Sequence, residues 1–254
     1  MTPTFRDRLL RGERLAGTLL SLSVPELAEI ASQAGFDWLF LDMEHGSIDG
    51  ASVARMLQAV RGPCASLVRI PENAEMWTKK ALDAGADGVI VPRVNTPEEA
   101  AAAVFWAKFP PQGGRSVGFS RANAYGMRFQ ENVDTANERT AVVIQVEHAD
   151  GVRRVEEILS VAGVDAIFIG PYDLSASFGK PGKIGDPQVR EAVRTVREAC
   201  ARRRIPVGVF CGDIAAAHKA AEDGFSFICT GIDIALFAKG MAEVAAALRS
   251  PGGR

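Results

Sequence analysis

The sequence predicts a (β/α)8 barrel. Three observations carry that expectation: eight short apolar runs rich in β-branched residues, a segment of helical period after nearly every run, and a length of 254 residues, close to the ~250 that such a barrel takes as one domain. A doubly wound open sheet is the rival architecture. The strand count and a first strand without a Gly-x-Gly-x-x-Gly turn argue against it, and with it against a nucleotide cofactor.

Taken in order, a helical piece over about Thr4 to Arg11 leads to the first strand, Ala16 to Leu22. Pro25 opens a helix over Glu26 to Ala34 and Gly35 closes it, the asymmetry expected of helix ends. The second strand is Asp37 to Asp42, with a helix over Ser52 to Val60. The third is Ala65 to Ile70, with a helix from Glu72 to Ala84 closed by Gly85. The fourth is Gly88 to Pro92, followed by a helix from Pro97 to Lys108. The stretch Phe109 to Arg139, rich in Gly and Arg, reads as a long irregular region. Loops past ~15 residues are uncommon without a role, which marks it as a binding loop or an oligomer contact. The fifth strand, Val142-Val143-Ile144-Gln145-Val146, ends at Glu147, and a helix over Val152 to Leu159 joins it to the sixth, Ala166 to Ile169. Gly170 and Pro171 stop that strand, and Asp173 follows where it should open onto a loop. Gln188 to Arg203 is a charged amphipathic helix, Pro206 to Phe210 the seventh strand, Ile214 to Glu222 a helix, Phe225 to Cys229 the eighth strand, and Ile234 to Leu248 the last helix. The repeating unit is βα throughout, and residues 1–254 read as one domain.

The composition, 47% hydrophobic and 24% charged with a net charge of −2, gives no reason to expect nucleic acid or an anionic membrane as partner. Cys64, Cys200, Cys211 and Cys229 are scattered, with no Cys-x-x-Cys pair, and read as reduced thiols of a cytoplasmic protein. The start, Met1-Thr2-Pro3-Thr4-Phe5-Arg6-Asp7-Arg8, has no apolar stretch of signal-peptide length, and no segment approaches the ~20 apolar residues of a membrane span.

In a barrel the chemistry sits at the carboxyl ends of the strands. Here those ends carry Asp42-Met43-Glu44-His45-Gly46, Arg69, Arg93, Gln145-Val146-Glu147-His148 and Asp173, all on one arc, while strands one, seven and eight end in uncharged residues. Side chains alternate along a strand, so with Val142, Ile144 and Val146 turned to the helices, Gln145 and Glu147 face the interior. Adjacent strands lie ~4.8 Å apart, so Glu147 and Asp173 are placed to hold one divalent cation. No lysine occupies a strand end, which leaves no Schiff-base amine and assigns carbonyl activation to a metal. Carboxylates without a paired histidine suit an oxygen-loving ion such as Mg²⁺ or Mn²⁺.

Asp42-x-Glu44-His45-Gly46, Val68-Arg69, Leu82-Asp83-x-Gly85, Gln145-x-Glu147 and Gly170-Pro171-Tyr172-Asp173-Leu174-Ser175 together resemble the HpcH/HpaI family of metal-dependent (class II) pyruvate aldolases. Gly35-Phe36-Asp37-Trp38, Pro110-Pro111-x-Gly113 and Gly231-Ile232-Asp233 extend the resemblance over nearly the whole chain. It implies a barrel with its C-terminal helix exchanged between subunits, assembled as a homohexamer (a trimer of dimers). The implied reaction is cleavage or formation of 4-hydroxy-2-oxo acids from pyruvate and an aldehyde, through an enolate held by Mg²⁺, Mn²⁺ or Co²⁺. It further implies Glu147 and Asp173 as metal ligands, Arg69 as the donor to the enolate oxygen or pyruvate carboxylate, and His45 as general base and acid with Asp42 orienting its ring. A structural ion pair of Arg69 with Asp42 or Glu147 is compatible with that role. Asp83 would reach a neighbouring subunit's site and raise the basicity of the histidine. Gln145, Gly170, Tyr172 and Asp173 would contact pyruvate, and Arg115 and Arg121 either the acidic or hydroxylated tail of the aldehyde, or a subunit contact or solvent. His148 and His218 read as structural. A thioester lyase of the malyl- or citramalyl-CoA type is the alternative enzyme, and a metal-free scaffold the non-enzymatic one.

Overall fold

A computed structural model describes residues 3–249; the outermost residues of the expected 1–254 domain, and Met1 and Thr2 of the expected leaderless start, lie outside the described residues. The elements follow the predicted alternation: α1 (Phe5–Leu10), β1 (Leu15–Leu20), α2 (Pro25–Gln33), β2 (Trp38–Asp42), α3 (Ser52–Ala59), β3 (Ala65–Arg69), α4 (Glu75–Asp83), β4 (Gly88–Val91) and α5 (Pro97–Ala107). A 3-10 turn (Arg121–Gly126) and α6 (Phe129–Arg139) precede β5 (Ala141–Val146), α7 (Ala149–Arg153), α8 (Val155–Ile158), β6 (Ala166–Ile169) and α9 (Pro171–Ser177). The chain finishes with α10 (Pro187–Arg203), β7 (Val207–Cys211), α11 (Ile214–Glu222), β8 (Phe227–Ile232) and α12 (Asp233–Arg249). The eight strands pair in sequence order, all parallel, and β8 closes on β1. Among the described residues no helix is long and apolar enough to cross a membrane.

Strand alternation divides the core into two shells. Val142, Ile144 and Val146 of β5 and their equivalents pack outward under the helices. Trp38, Phe40, Phe168 and Phe227 fill the interior with Leu15, Leu67 and Val143. Trp38 stacks on Phe227 with ring centroids 4.1 Å apart, and Phe168 meets Trp38, Phe40 and Phe227 edge-on. α1 closes the floor of the barrel, its Phe5 ring 5.9 Å from that of Phe227. The same alternation that turns Trp38 and Phe40 inward turns Asp42 inward one step higher. The interior therefore changes from aromatic to charged along the barrel axis.

The four even-numbered strands share a start that the βα reading of the sequence did not separate from the rest. Gly35, Gly85, Gly163 and Gly224 each end a turn at φ between +94° and +96°, the left-handed region that favours glycine. Two residues later stand Asp37, Asp87, Asp165 and Ser226. Each acid clasps the start of the preceding strand, giving its amide to that strand and accepting one back: Asp37 with Ala16, Asp87 with Ser66, Asp165 with Val142, with side-chain bonds of 2.9, 2.8 and 2.9 Å. Ser226 makes the main-chain half of the clasp, to Val207, at 3.2 Å. Arg6 and Arg8 of α1 pair with Asp165 and Asp37, which ties the floor plug to the clasps.

Four expectations are corrected. Phe109 to Arg139 is not irregular throughout, since its second half is the 3-10 turn and α6; α6 buries only Ala136 and so shows no apolar stripe in the sequence. Gly170-Pro171 does not open a loop: Pro171 is the first residue of α9, which places Asp173 in a helical first turn. The single helix expected over Val152 to Leu159 is two short ones, α7 and α8. β8 runs on to Ile232, so Asp233 stands at the barrel end, where its carboxylate accepts from Ser21 N and Leu22 N at 2.9 Å and from Ser21 Oγ at 2.7 Å.

Lys108, 3% exposed, fastens α5 to the α6–β5 junction by donating to Asn137 O (2.8 Å) and Thr140 O (2.7 Å). Burial lowers its pKa from 10.5 to about 8, and the neutral amine still donates both bonds. Between these values the unfolded chain holds the proton that the folded chain has released, so this residue makes stability rise with pH across that window. Buried thiols, with pKa values raised by burial, act in the opposite direction, so the comparison must be between variants. The stability advantage of wild type over Lys108→Met, from urea midpoints, is expected to grow from pH 8 to 10.5; a constant difference would remove the assignment.

Candidate active site

At the top of the barrel Asp42 and Arg69 occupy directly paired positions of β2 and β3. Their side chains, 3% and 8% exposed, form a two-pronged ion pair with Nε–Oδ1 at 2.9 Å and Nη2–Oδ2 at 2.7 Å, the fork geometry in which arginine holds a carboxylate best. Asp42 Oδ1 also accepts the main-chain amides of Glu44 (3.0 Å) and His45 (3.3 Å). The carboxylate thus shapes the loop that carries His45, whereas the sequence reading has it orient the ring. The acid beside the ring is Glu44, with Oε2 3.9 Å from His45 Nε2. Glu44 Oε2 also lies 3.2 Å from Arg69 Nη1, but out of line for a hydrogen bond, so it remains an unpaired buried oxygen. His45 itself is 62% exposed at the rim. Burial works against the Arg69 charge; the hydrogen bonds and charge of Asp42, with Glu44 and Glu147, outweigh it and hold the guanidinium above its usual range.

β5 and β6 supply the second half. Glu147, 4% exposed, accepts from Gln145 Nε2 in a short hydrogen bond and from the Arg93 amide at 2.9 Å. Arg93 delivers that amide from a left-handed backbone, φ +55°, a conformation unusual for a non-glycine residue. Across β6 the carboxylate lies against Gly170: a methyl group there would sit 2.8 Å from Glu147 Oε2 and 3.0 Å from Gln145 Nε2. An added methyl at 170 would therefore have to displace the Glu147 and Gln145 side-chain ends. Asp173 and Tyr172 follow on the exposed first turn of α9, the Tyr172 ring 6.3 Å from that of Phe210.

These groups open on a cavity of about 370 Å³ lined by Asp42, His45, Arg69, Gln145, Gly170 and Asp173 on one side. The charge balance around its acidic side is uneven. Burial, then the charges of Glu44 and Asp173, push the Glu147 carboxyl up to about 7 against the pull of Arg69 and the Arg93 amide. Glu44 is raised as well, by burial before its neighbours. Gln145 Oε1 and Glu44 Oε2 are buried without hydrogen-bond partners. Crowded carboxylates with orphaned oxygens fit a hard divalent cation. Among the described residues no three His, Cys, Asp or Glu side chains close a metal cage, so a cation here would complete its shell with water and substrate oxygens.

Asp83, Arg115 and Arg121 do not join this cluster within one chain. Asp83 ends α4 at the floor side, where it accepts from Arg115 Nη2 at 2.8 Å, and the Arg115 guanidinium lies 4.6 Å from the Phe109 ring centroid. Arg121 donates to Ala84 O and Leu57 O, also at the floor. Within this chain Arg115 and Arg121 tie the long loop to the barrel rather than line the cavity. His148 caps α7 by accepting from the Asp150 amide at 3.1 Å. The sequence reading assigned no role to Glu44 or Arg93. Glu44 lies in the Asp-x-Glu-His motif and was legible there; the Arg93 contact depends on a backbone angle with no signature in composition.

A barrel with this cluster of acids, arginine and histidine at its mouth is built to stabilise negative charge developing on a small oxo compound. The chain belongs to the HpcH/HpaI aldolase/citrate lyase family, whose profile matches residues 16–240. It is 36% identical, over 92% of each chain, to a hydroxypyruvate/pyruvate aldolase of Paraburkholderia phytofirmans. It is also 36% identical to a 4-hydroxy-2-oxovalerate aldolase of Rhodococcus jostii, over 96% of this chain and 95% of that one. A crystal structure of an HpcH/HpaI aldolase/citrate lyase family protein from Burkholderia cenocepacia superposes with a TM-score of 0.92 at 39% identity, covering 96% of this chain and 98% of the other.

The close packing of Gly170 gives a direct stability test. Gly170→Ala is expected to cost about 1–3 kcal/mol, the range for overpacking a tight site. Gly185→Ala, where nothing lies within 4 Å of the added methyl, should stay within about 0.5 kcal/mol of wild type. Equal urea midpoints for the two variants would show that Glu147 moves freely.

Proposed function

We propose that the protein is a metal-dependent aldolase, a carbon–carbon lyase that cleaves and forms 4-hydroxy-2-oxo acids through the enolate of pyruvate. The observation that carries this reading is the single guanidinium of Arg69 set among Asp42, Glu44, Glu147 and Asp173 at the mouth of an otherwise apolar barrel. The relatives named hydroxypyruvate/pyruvate aldolase and 4-hydroxy-2-oxovalerate aldolase support it. The thioester-lyase alternative gains nothing from the mouth, whose remaining wall is apolar rather than basic.

Glu147 and Asp173 would hold the divalent cation, Mg²⁺, Mn²⁺ or Co²⁺, which when bound supplies Lewis-acid stabilisation to the 2-oxo group. Gln145 keeps Glu147 in place and lines the cavity, its Oε1 left without a hydrogen-bond partner. Arg69, fixed by Asp42, presents Nη1 to the carboxylate or enolate oxygen of pyruvate, and Gly170 and Tyr172 form the wall beside it. In the cleavage direction His45 takes the proton of the C4 hydroxyl. The C3–C4 bond then breaks, its electrons pass to the enolate, the aldehyde leaves, and a proton returns to C3 to give pyruvate. No lysine lines the cavity, and the buried amine of Lys108 is at the floor, which supports a mechanism without a Schiff base.

The same reading covers the assembly. α12 exposes Leu236, Phe237, Met241, Val244 and Leu248, an apolar face that fits exchange of this helix between subunits of a homohexamer. Asp83 then serves the site of a neighbour, raising the basicity of its histidine. With its four cysteines free and buried, the chain reads as a one-domain enzyme of the cytoplasm, acting on small molecules rather than nucleic acid or membrane.

Chelator-stripped protein is expected to lose exchange of the pyruvate C3 protons with D₂O, followed by NMR, and to regain it with Mg²⁺ or Mn²⁺. Glu147→Gln and Asp173→Asn should not regain it, and full exchange by the stripped protein or by either variant would overturn the ligand assignment. Arg69→Ala is expected to lower kcat by about 10²- to 10³-fold, as for a lost oxyanion donor. A change confined to KM would make Arg69 a binding residue instead.

A further inference from the structure

The ring of His45 stands 62% exposed at the rim, 3.9 Å from Glu44 Oε2 and beyond hydrogen-bond reach. Its position is therefore set by the main chain over residues 42–47. One end of that loop is fixed by the Asp42 carboxylate, which accepts the Glu44 and His45 amides. The other end leans on a different strand. Ser47 donates to Ser21 O through its amide at 2.7 Å and its hydroxyl at 3.3 Å, and the same hydroxyl accepts the Ser23 amide at 3.0 Å. Gly46 passes between the two: a methyl group on it would collide with Asp42 O and lie 2.6 Å from Ser21 O. Both are backbone atoms, so the His45 loop rests directly on the turn that follows β1.

That turn is fixed by Asp233, buried at the start of α12. One carboxylate oxygen accepts Ser21 N and Leu22 N, and the other accepts Ser21 Oγ and, at 2.8 Å, Ile234 N. Four donors use the whole acceptor capacity of a carboxylate. Asp233 thus has no lone pair left for a metal or a substrate group, although it stands beside the cavity. Strand pairing does not account for it either, because the β1–β8 ladder already joins Leu19 to Ile232. A buried carboxylate is retained at a cost that its hydrogen bonds must offset, and what these bonds order is the loop beyond the ladder. We propose that Asp233 is a positioning residue for His45, acting through the Ser21–Leu22 turn and the contact of Ser21 O with Ser47. The base is then clamped from both flanks, by Asp42 on its own strand and by a carboxylate at the end of β8. Loss of Asp233 lets the His45 loop drift while Arg69 and Glu147 keep their own partners.

The proposal rests on the aldolase reading, in which His45 is the base, and the test separates the two. Hydrogen–deuterium exchange of the intact protein, followed by mass spectrometry, reads the loop; cleavage of 4-hydroxy-2-oxopentanoate with Mn²⁺ reads the consequence. In Asp233→Ala the amides of residues 44–47 are expected to exchange at least about tenfold faster than in wild type, while those of β5 keep their rates. The kcat is expected to fall about 10- to 100-fold, the cost of a small misplacement of a catalytic group. KM should change by less than about twofold. In a His45→Gln background the same substitution should alter kcat by less than about twofold, since a base that is absent cannot be misplaced. Ser47→Ala cuts the relay at its far end with less disturbance to the fold, and should move exchange and kcat in the same direction. Unchanged exchange over residues 44–47 in both variants, a loss carried by KM, or an Asp233→Ala effect that persists in His45→Gln overturns the proposal; the aldolase reading then stands if His45→Gln is itself impaired. Full turnover by His45→Gln removes the base assignment and the proposal together.

Discussion

One guanidinium cannot balance four carboxyl groups, and the upper half of this barrel is organised by that deficit. Asp42 takes two arms of Arg69 in direct register and Glu44 approaches a third. Glu147 is left buried beside two further acids with its pKa lifted to about 7. An isolated buried carboxylate normally protonates, moves outward or acquires a counter-charge. Movement is prevented here: the Arg93 amide and the Gln145 side chain grip the carboxylate, and Gly170 lets β6 close against it. The protein therefore spends backbone strain at Arg93 and a closely packed glycine on keeping negative charge where it repels its neighbours, an arrangement that makes physical sense when a cation or an anionic substrate with its cation enters.

The aromatic floor matters to that chemistry as much as the ligands do. Trp38, Phe40, Phe168 and Phe227 fill the barrel up to the level of Arg69, whose guanidinium carbon lies 5.1 Å from the centre of the Phe40 ring. Water is excluded from below, so charges at the mouth act through a poorly screening medium and their effects on one another are large. The residues that make the floor and those that make the site lie on the same strands, separated by single steps of the inward-facing alternation.

Most of this was legible because barrels write themselves in simple periods. Strand order, the position of the helices and the grouping of Asp42, Arg69, Glu147 and Asp173 at strand ends followed from apolar runs and their polar terminations, and the motif set identified the family. The misses have specific causes. α6 offers one buried residue and is held by side-chain amides, among them Asn132 to Ala122 O and Asn137 to Phe109 O, so periodicity had nothing to detect. In Gly170-Pro171 the proline was read as a stop although it also suits the first position of a helix. Arg93 depends on a dihedral angle, which spacing does not encode.

The clasps at the starts of the even strands set the manner in which the ring holds together. Each acid reaches back across 21 to 23 residues of chain, a separation short enough for β1–β2, β3–β4 and β5–β6 to organise as local βαβ units. Closure is different in kind: the Asp233 carboxylate bridges to Ser21 over 212 residues. It is a buckle on a belt of pre-joined links, fastened across the parallel β8–β1 ladder at the seam where the first and last strands meet.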